Sequence, residues 1–214
     1  MKKNMLKNSN DNIILTNEEI EEKLQKTEIA YGNFLTELGY DWENDPNMNE
    51  TPKRVAKMWV KEIAVGCYIK EPKVTTFKNI NKYDGLVFEG NIDVKSLCSH
   101  HNYPFFGKAY IAYIAHPEGN IIGLSKLNRI VDWFSRRPQV QENLVMQIHD
   151  YLDKVLGKHR GIAIKIQAIH TCVKLRGINH NSDMQTTKLS GSFMDAAGNA
   201  QKEFFENIRQ SLTT

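Results

Sequence analysis

Cysteine is scarce in this sequence: only Cys67, Cys98 and Cys172 occur among its 214 residues. An odd number of cysteines without a secretory signal argues against a disulfide framework and favours metal binding or buried thiols. The first dozen residues, MKKNMLKNSNDN, are rich in Lys and Asn and lack the apolar middle part of a signal peptide. We therefore expect a cytoplasmic protein in which Cys67, just after a helix end, is a buried structural thiol.

Long apolar runs and a strong net charge are also missing. With 41% hydrophobic and 25% charged residues, and no run long enough to cross a bilayer, the composition is that of a soluble globular protein without a membrane partner. The formal net charge is only +3, and aromatic residues are not interleaved with the basic ones. Nucleic-acid binding therefore has little support.

Hydrophobic periodicity predicts an α+β fold. Thr16 and Glu19 fit a capping box, and Thr51-Pro52 is a second helix start, so residues 16–70 are predicted to form a helical extension. Residues 1–15 are predicted to be a disordered tail and residues 71–214 a catalytic domain. In that domain the pattern predicts two strands, two helices, two strands and a last helix, and such segregation is typical of the α+β class.

The potential metal ligands fall in two short motifs, Cys98-Ser99-His100-His101 and His170-Thr171-Cys172. A Cys-x-x-His pair can close on one ion from a single turn, and a distant third ligand completes a catalytic zinc site with one position left for water. Alternation along a strand from Gly161 predicts that His170 and Cys172 face the same way. Five candidate groups leave one or two imidazoles for proton transfer, and mixed thiolate and imidazole ligands favour zinc. The alternative is a surface imidazole beside thiols that are merely buried.

A second group of residues suits a phosphate chain. In the run Gly123-Leu-Ser-Lys-Leu-Asn-Arg129, Lys126 and Arg129 are neighbours on one helix face, and Ser125 lies in the first turn, where backbone amides are free. Arg176, four residues after Cys172, could join them. An ordinary solvated helix face is the alternative.

Gln141 and Glu142 lie in the first turn of a helix that Pro138 is predicted to open. A carboxylate there is favoured by the helix dipole alone. It could also accept the two parallel donors, N1–H and the exocyclic amine, that a guanine presents. Spacing does not decide between these two interpretations.

Four motifs in the same order resemble GTP cyclohydrolase I of the zinc-dependent type. The likeness extends from about Thr51 to Phe193 and the final helix, and the first fifteen residues lie outside it. The matching motifs are Cys98-Ser-His-His101, Gly123-Leu-Ser-Lys-Leu-Asn-Arg129, Arg137-Pro-Gln-Val-Gln-Glu142 and His170-Thr-Cys-Val-Lys-Leu-Arg-Gly177.

The resemblance implies a tunnelling fold, an antiparallel sheet with helices on one side, assembled into a homodecamer with active sites at subunit interfaces. It implies conversion of GTP and water to 7,8-dihydroneopterin triphosphate and formate, the first step towards tetrahydrofolate and other pterins. Zinc would be held by Cys98, His101 and Cys172. The proton-transfer groups would be His100 and His170, with Ser125 also counted in the catalytic group. Substrate-binding residues would be Lys126, Arg129 and Arg176 at the triphosphate and ribose, with Gln141 and Glu142 at the guanine.

One residue departs from the family pattern: Ser99 stands where the family usually has Glu. A carboxylate next to a ligand can orient it or raise its basicity, so its absence could weaken metal binding or alter the rate. Two alternatives therefore stay open. The chain could be a related tunnelling-fold enzyme acting on another purine or pterin, although three cations argue for a triphosphate. It could also be a zinc-bound homologue with impaired catalysis.

Overall fold

A computed structural model of the chain describes residues 7–195 and 197–212, and the chain divides into two compact units, Met1–Lys70 and Glu71–Thr214. The first unit contains helices α1 (Asn17–Glu37) and α2 (Thr51–Lys57), and α2 continues into a π-helical turn (Met58–Ile63). The predicted capping box of α1 is confirmed, because Thr16 Oγ1 accepts from the Glu19 amide and the Glu19 carboxylate accepts from the Thr16 amide.

The predicted N-terminal tail lies only partly within the described residues, since residues 1–6 fall outside them. Its described part runs beside residues 66–69. The Ile13 amide donates to Cys67 O at 2.8 Å, and the Leu15 amide donates to Tyr68 O at 3.0 Å. The Cys67 side chain is buried, as the sequence predicts.

The second unit contains seven strands and four α-helices in its described residues. In chain order the elements are β1 (Thr76–Lys78), β2 (Leu86–Cys98), β3 (Pro104–Ala115), β4 (Asn120–Ile122), α3 (Leu124–Ser135), β5 (Pro138–Gln139), α4 (Gln141–Leu156), β6 (His159–His170), α5 (Thr171–Lys174), β7 (Asp183–Leu189) and α6 (Asn199–Ser211). Five strands form a sheet with the order β5-β2-β3-β6-β7, in which every pair is antiparallel except β2 and β5. A separate small sheet pairs β1 with β4.

The central strand β3 is buried on both faces, as its continuous apolar run predicts. On one face Ile111 and Tyr113 belong to the larger hydrophobic core, to which α3 and α4 contribute. On the other face Tyr110 packs in a smaller cluster with Phe204 and Ile208 of α6. The α+β class and the antiparallel tunnelling-type sheet are therefore as expected, but the helices do not all lie on one side, because α6 covers the face opposite to α3 and α4.

Two local expectations are corrected. Strand β6 ends at His170, and Cys172 lies in the short helix α5 rather than on the strand. The partner strand β3 begins at Pro104, which has no amide hydrogen, so the ladder ends where Phe105 pairs with His170. In addition, Pro138 opens the short strand β5 beside β2, and helix α4 begins only at Gln141.

In the described part of the chain, no helix is both long enough and apolar enough to cross a bilayer.

Candidate active site

The two metal motifs meet at one end of the sheet. Cys98 ends β2, His170 ends β6 and Cys172 lies in α5. The two sulfur atoms and one imidazole nitrogen of His170 lie within 4.8 Å of one another. Both thiols are buried, with 5% and 9% of their surface exposed, and His170 is half-buried. The residues that the sequence separates by seventy positions are thus gathered by the pairing of β2, β3 and β6.

The other two histidines of the motif are exposed. His101 lies in the turn between β2 and β3 and is not part of this three-residue cluster. His100 places Nδ1 3.6 Å from the Cys98 sulfur. The turn is closed by the Asn102 amide, which donates to Cys98 O at 2.8 Å, with Asn102 in the left-handed region at φ 55°. The structure therefore groups His170, rather than His101, with the two thiols.

Burial shifts the pKa values of two groups in the cluster, Cys172 and His170. Burial raises the pKa of the Cys172 thiol, and the neighbouring Cys98 raises it further. Burial also lowers the pKa of the His170 imidazole, against the opposing effect of Glu142. A soft divalent cation compensates two buried thiolates and takes the lone pair of a neutral imidazole. The donor set of two sulfurs and one nitrogen fits zinc.

A cavity of about 240 Å³ opens beside the cluster. Glu142, in the first turn of α4, is exposed and lines it. Its wall also contains Cys98, His100, Gln141, His170 and Cys172, which the sequence predicted as site residues, and six residues to which the sequence assigned no role. Gln139 could have been noticed, because it lies within the Arg137-Pro-Gln-Val-Gln-Glu142 motif and pairs with Cys98 in the β2–β5 ladder. The remaining unassigned lining residues carry no recognisable pattern; they are Val140, Val173, Ser182, Asp183 and Met184.

The phosphate-binding candidates on α3 do not join this cavity, as far as the described residues form its wall. The N-terminal half of α3 lies beside Glu89, whose carboxylate accepts a hydrogen bond from Asn128. Glu89 precedes Cys98 by nine residues on β2, which is at most about 30 Å at roughly 3.3 Å per residue, because a β-bulge between Glu89 and Ile92 shortens the strand. Ser125 and Arg129 are exposed near this far end. Within a single chain, these α3 residues and the cysteines therefore lie toward opposite ends of β2.

Arg176 behaves differently from the α3 residues. It is exposed and lies close enough to Cys172 for its charge to lower the pKa of the thiol. The sequence grouped Arg176 with Lys126 and Arg129. The structure places it instead at the cysteine end of the sheet.

An antiparallel α+β sheet gathers thiols, an imidazole and a carboxylate around one cavity, an arrangement typical of an enzyme active site. The sequence pattern of GTP cyclohydrolase I matches residues 27–209. The chain is 44% identical over 191 residues to GTP cyclohydrolase 1 of Flavobacterium johnsoniae, covering 88% of this chain and 83% of the relative. It is 41% identical to GTP cyclohydrolase 1 of a Sulfurihydrogenibium species, covering 86% of this chain and 94% of the relative. The chain belongs to the GTP cyclohydrolase I family.

A partial structural likeness was also found to an archaeosine synthase QueF-like protein in its apo form. It has 13% identity and a TM-score of 0.40, and it covers 50% of this chain and 93% of that one.

Proposed function

We propose that this protein is a zinc-dependent GTP cyclohydrolase I, which opens GTP at C8, releases formate and forms 7,8-dihydroneopterin triphosphate. The observation that carries the proposal is the Cys98, His170 and Cys172 cluster, which shares a cavity with the carboxylate of Glu142. Zinc, when bound, supplies the Lewis acidity that activates water near neutral pH. The cytoplasmic location expected from the sequence is part of this proposal.

The thiolates of Cys98 and Cys172 are the fixed pair of metal ligands in this proposal. The third protein ligand has two candidates. The family resemblance implies His101, whereas placement in the structure favours His170. If His101 is the ligand, His170 remains beside the site, where it can transfer a proton.

Glu142 is proposed to bind the guanine. Its side chain is exposed at the cavity, in the first turn of α4. An ionised carboxylate accepts both N1–H and the exocyclic amine of guanine in a bidentate pair. This contact fixes the base so that its five-membered ring can lie toward His170 and His100. Those imidazoles would move protons as the bond between C8 and N9 opens and formate leaves.

The triphosphate is proposed to bind cations from two copies of the chain. Arg176 lies at the cysteine end, whereas Lys126 and Arg129 flank Asn128, which contacts Glu89 nine residues before Cys98 on β2. A nucleotide held by the cysteine end of one chain could therefore meet Lys126 and Arg129 of a neighbouring chain. This separation supports an interface site of the kind that a closed homodecamer provides. The triphosphate takes no part in bond breaking, so its binding serves positioning.

Incubation of the zinc-loaded protein with GTP is expected to release formate and produce the pterin absorbance band, and a chelator is expected to abolish both. Formate without pterin would mean that ring opening occurs but the later rearrangement does not. Intact GTP with a full zinc load would contradict the proposal and favour an enzyme for another purine or pterin, or a homologue impaired at Ser99. Ser99→Glu would then separate these two, because only the impaired homologue should gain activity.

Alanine variants of the two histidines are expected to identify the third ligand. We expect His101→Ala to lose most of its zinc, because a Cys-x-x-His pair closes on one ion from a single turn. We expect His170→Ala to keep zinc but to lose turnover by about 10²- to 10⁴-fold, the usual contribution of a positioned acid or base. Metal content by elemental analysis and formate release are the measurements.

The control for these histidine variants is His116→Ala, whose imidazole accepts from the Glu118 amide at the opposite end of β3. It should change neither zinc content nor turnover. The reverse pattern, zinc lost in His170→Ala and kept in His101→Ala, would make His170 the ligand.

A further inference from the structure

The Gln141 side chain is buried beneath the site, with 1% of its surface exposed, although the sequence assigned it to the substrate. Its amide nitrogen lies 3.2 Å from Ile166 O, 3.1 Å from Met184 O and 3.1 Å from Thr186 Oγ1. Its amide oxygen lies 2.8 Å from Nε2 of His170. The whole hydrogen-bonding end of Gln141 is thus engaged inside the protein.

These contacts fix which way the amide points. Two of the three groups around its nitrogen are backbone carbonyls, and a carbonyl can only accept a hydrogen bond. The reversed amide would bury its own oxygen against those carbonyl oxygens, which is costly in an interior without water. The oxygen of Gln141 must therefore face His170.

The orientation of the amide determines where the His170 hydrogen lies. An amide oxygen cannot donate, so the contact with Nε2 is a hydrogen bond only if Nε2 carries the hydrogen. In the neutral imidazole Nδ1 is then the nitrogen that keeps its lone pair. The ring is also held in plane by Phe105, which stacks on it with a centroid distance of 4.5 Å and an angle of 8°.

We propose that Gln141 is a positioning residue, which selects the Nε2–H tautomer of His170 and so leaves the ring lone pair on Nδ1. That lone pair would serve as a metal ligand or as a proton acceptor, depending on the role of His170. The role of His170 in catalysis rests on the proposed function, whereas its tautomer follows from the contacts of Gln141 alone.

The test is a long-range ¹H–¹⁵N correlation spectrum of the zinc-loaded protein with ¹⁵N-labelled histidine. The His170 signals are assigned by their absence from His170→Ala. We expect the wild-type ring to carry its hydrogen on Nε2. Gln141→Met, which keeps the volume but cannot accept, should show a mixture of both tautomers. Its kcat should fall by about 10- to 100-fold, the usual effect of removing a group that orients a ligand.

A further variant separates positioning from general support of the fold. Thr186→Val removes one contact of the amide nitrogen without touching His170, and it should leave the tautomer unchanged. Thermal melting checks that each variant is folded.

A wild-type His170 with its hydrogen on Nδ1 would overturn the inference, even if Gln141→Met failed to fold. So would a folded Gln141→Met with the wild-type spectrum. An Nε2–H tautomer in a protein that leaves GTP intact would overturn the proposed function and leave this inference standing.

Discussion

Cys172→Ser is expected to lose both the metal and the activity. The cluster offers two sulfurs and one imidazole within 4.8 Å, so serine would remove one of two soft ligands and leave a weak hydroxyl in its place. Removing a group that merely orients a ligand already costs about 10- to 100-fold in metal affinity, so loss of the ligand itself should exceed 100-fold. Zinc per chain after dialysis and formate release from GTP are the two measurements.

Cys67→Ala is the matched control for Cys172→Ser. Cys67 is a buried thiol of the first unit, where its sulfur contacts the Ser9 carbonyl. This variant should bind zinc and turn over GTP as the wild type does, provided that it is folded. Stoichiometric zinc in folded Cys172→Ser would remove Cys172 from the ligand set and leave Cys98 as the sole thiolate.

Two inactive variants are expected to restore activity when they assemble together. Cys172→Ser damages the cysteine end, and the double variant Lys126→Ala/Arg129→Ala damages the anion-binding end. Loss of two charge-assisted contacts, each worth about 1.5–3 kcal/mol, should lower kcat/KM of the double variant by about 10²- to 10⁴-fold. In the proposed assembly, each active site combines the cysteine end of one chain with the anion-binding end of its neighbour. Random assembly of equal amounts of the two variants then leaves both ends undamaged in about a quarter of the sites.

Co-expression of the two variants, followed by a formate assay at low GTP, would measure this recovery. Co-expression of Cys172→Ser with Cys98→Ser is the control, because both damage the same end and should recover nothing. Mixed assemblies as inactive as the separate variants would contradict the composite site. The triphosphate would then have to be held by residues of a single chain.

Local spacing predicted that the two thiol and imidazole motifs would meet, but not that His170, rather than His101, would lie with the two thiols. The thiol and imidazole motifs were grouped correctly because each lies at a strand end, and the ends of paired strands share one edge of a sheet. Their exact secondary structure was not predictable, since the end of β6 depends on Pro104 in another strand. That constraint is absent from the local sequence of residues 159–172.

The sequence could not reveal two features of the site. The first is the far wall of the cavity at Ser182, Asp183 and Met184, which comes into place only through pairing of β7 with β6. The second is the separation of the α3 residues from Cys98. Periodicity identifies α3 as a helix, but the distance between its N-terminal half and the cysteines follows from the length of β2 and the contact between Asn128 and Glu89.

The pairing of Phe105 with His170 also bears on how the chain folds. Strands β2 and β3 form a local hairpin, which brings Cys98 into place early, whereas Cys172 arrives only when β6 closes a much longer loop onto β3. A slip of β6 by one residue would turn His170 to the other face of the sheet and separate it from the thiols. In the proposed metal site, a cation bound by both Cys98 and Cys172 would therefore stabilise only the correct pairing of β6 with β3. Metal supply during synthesis would then affect the yield of folded chains as well as their activity.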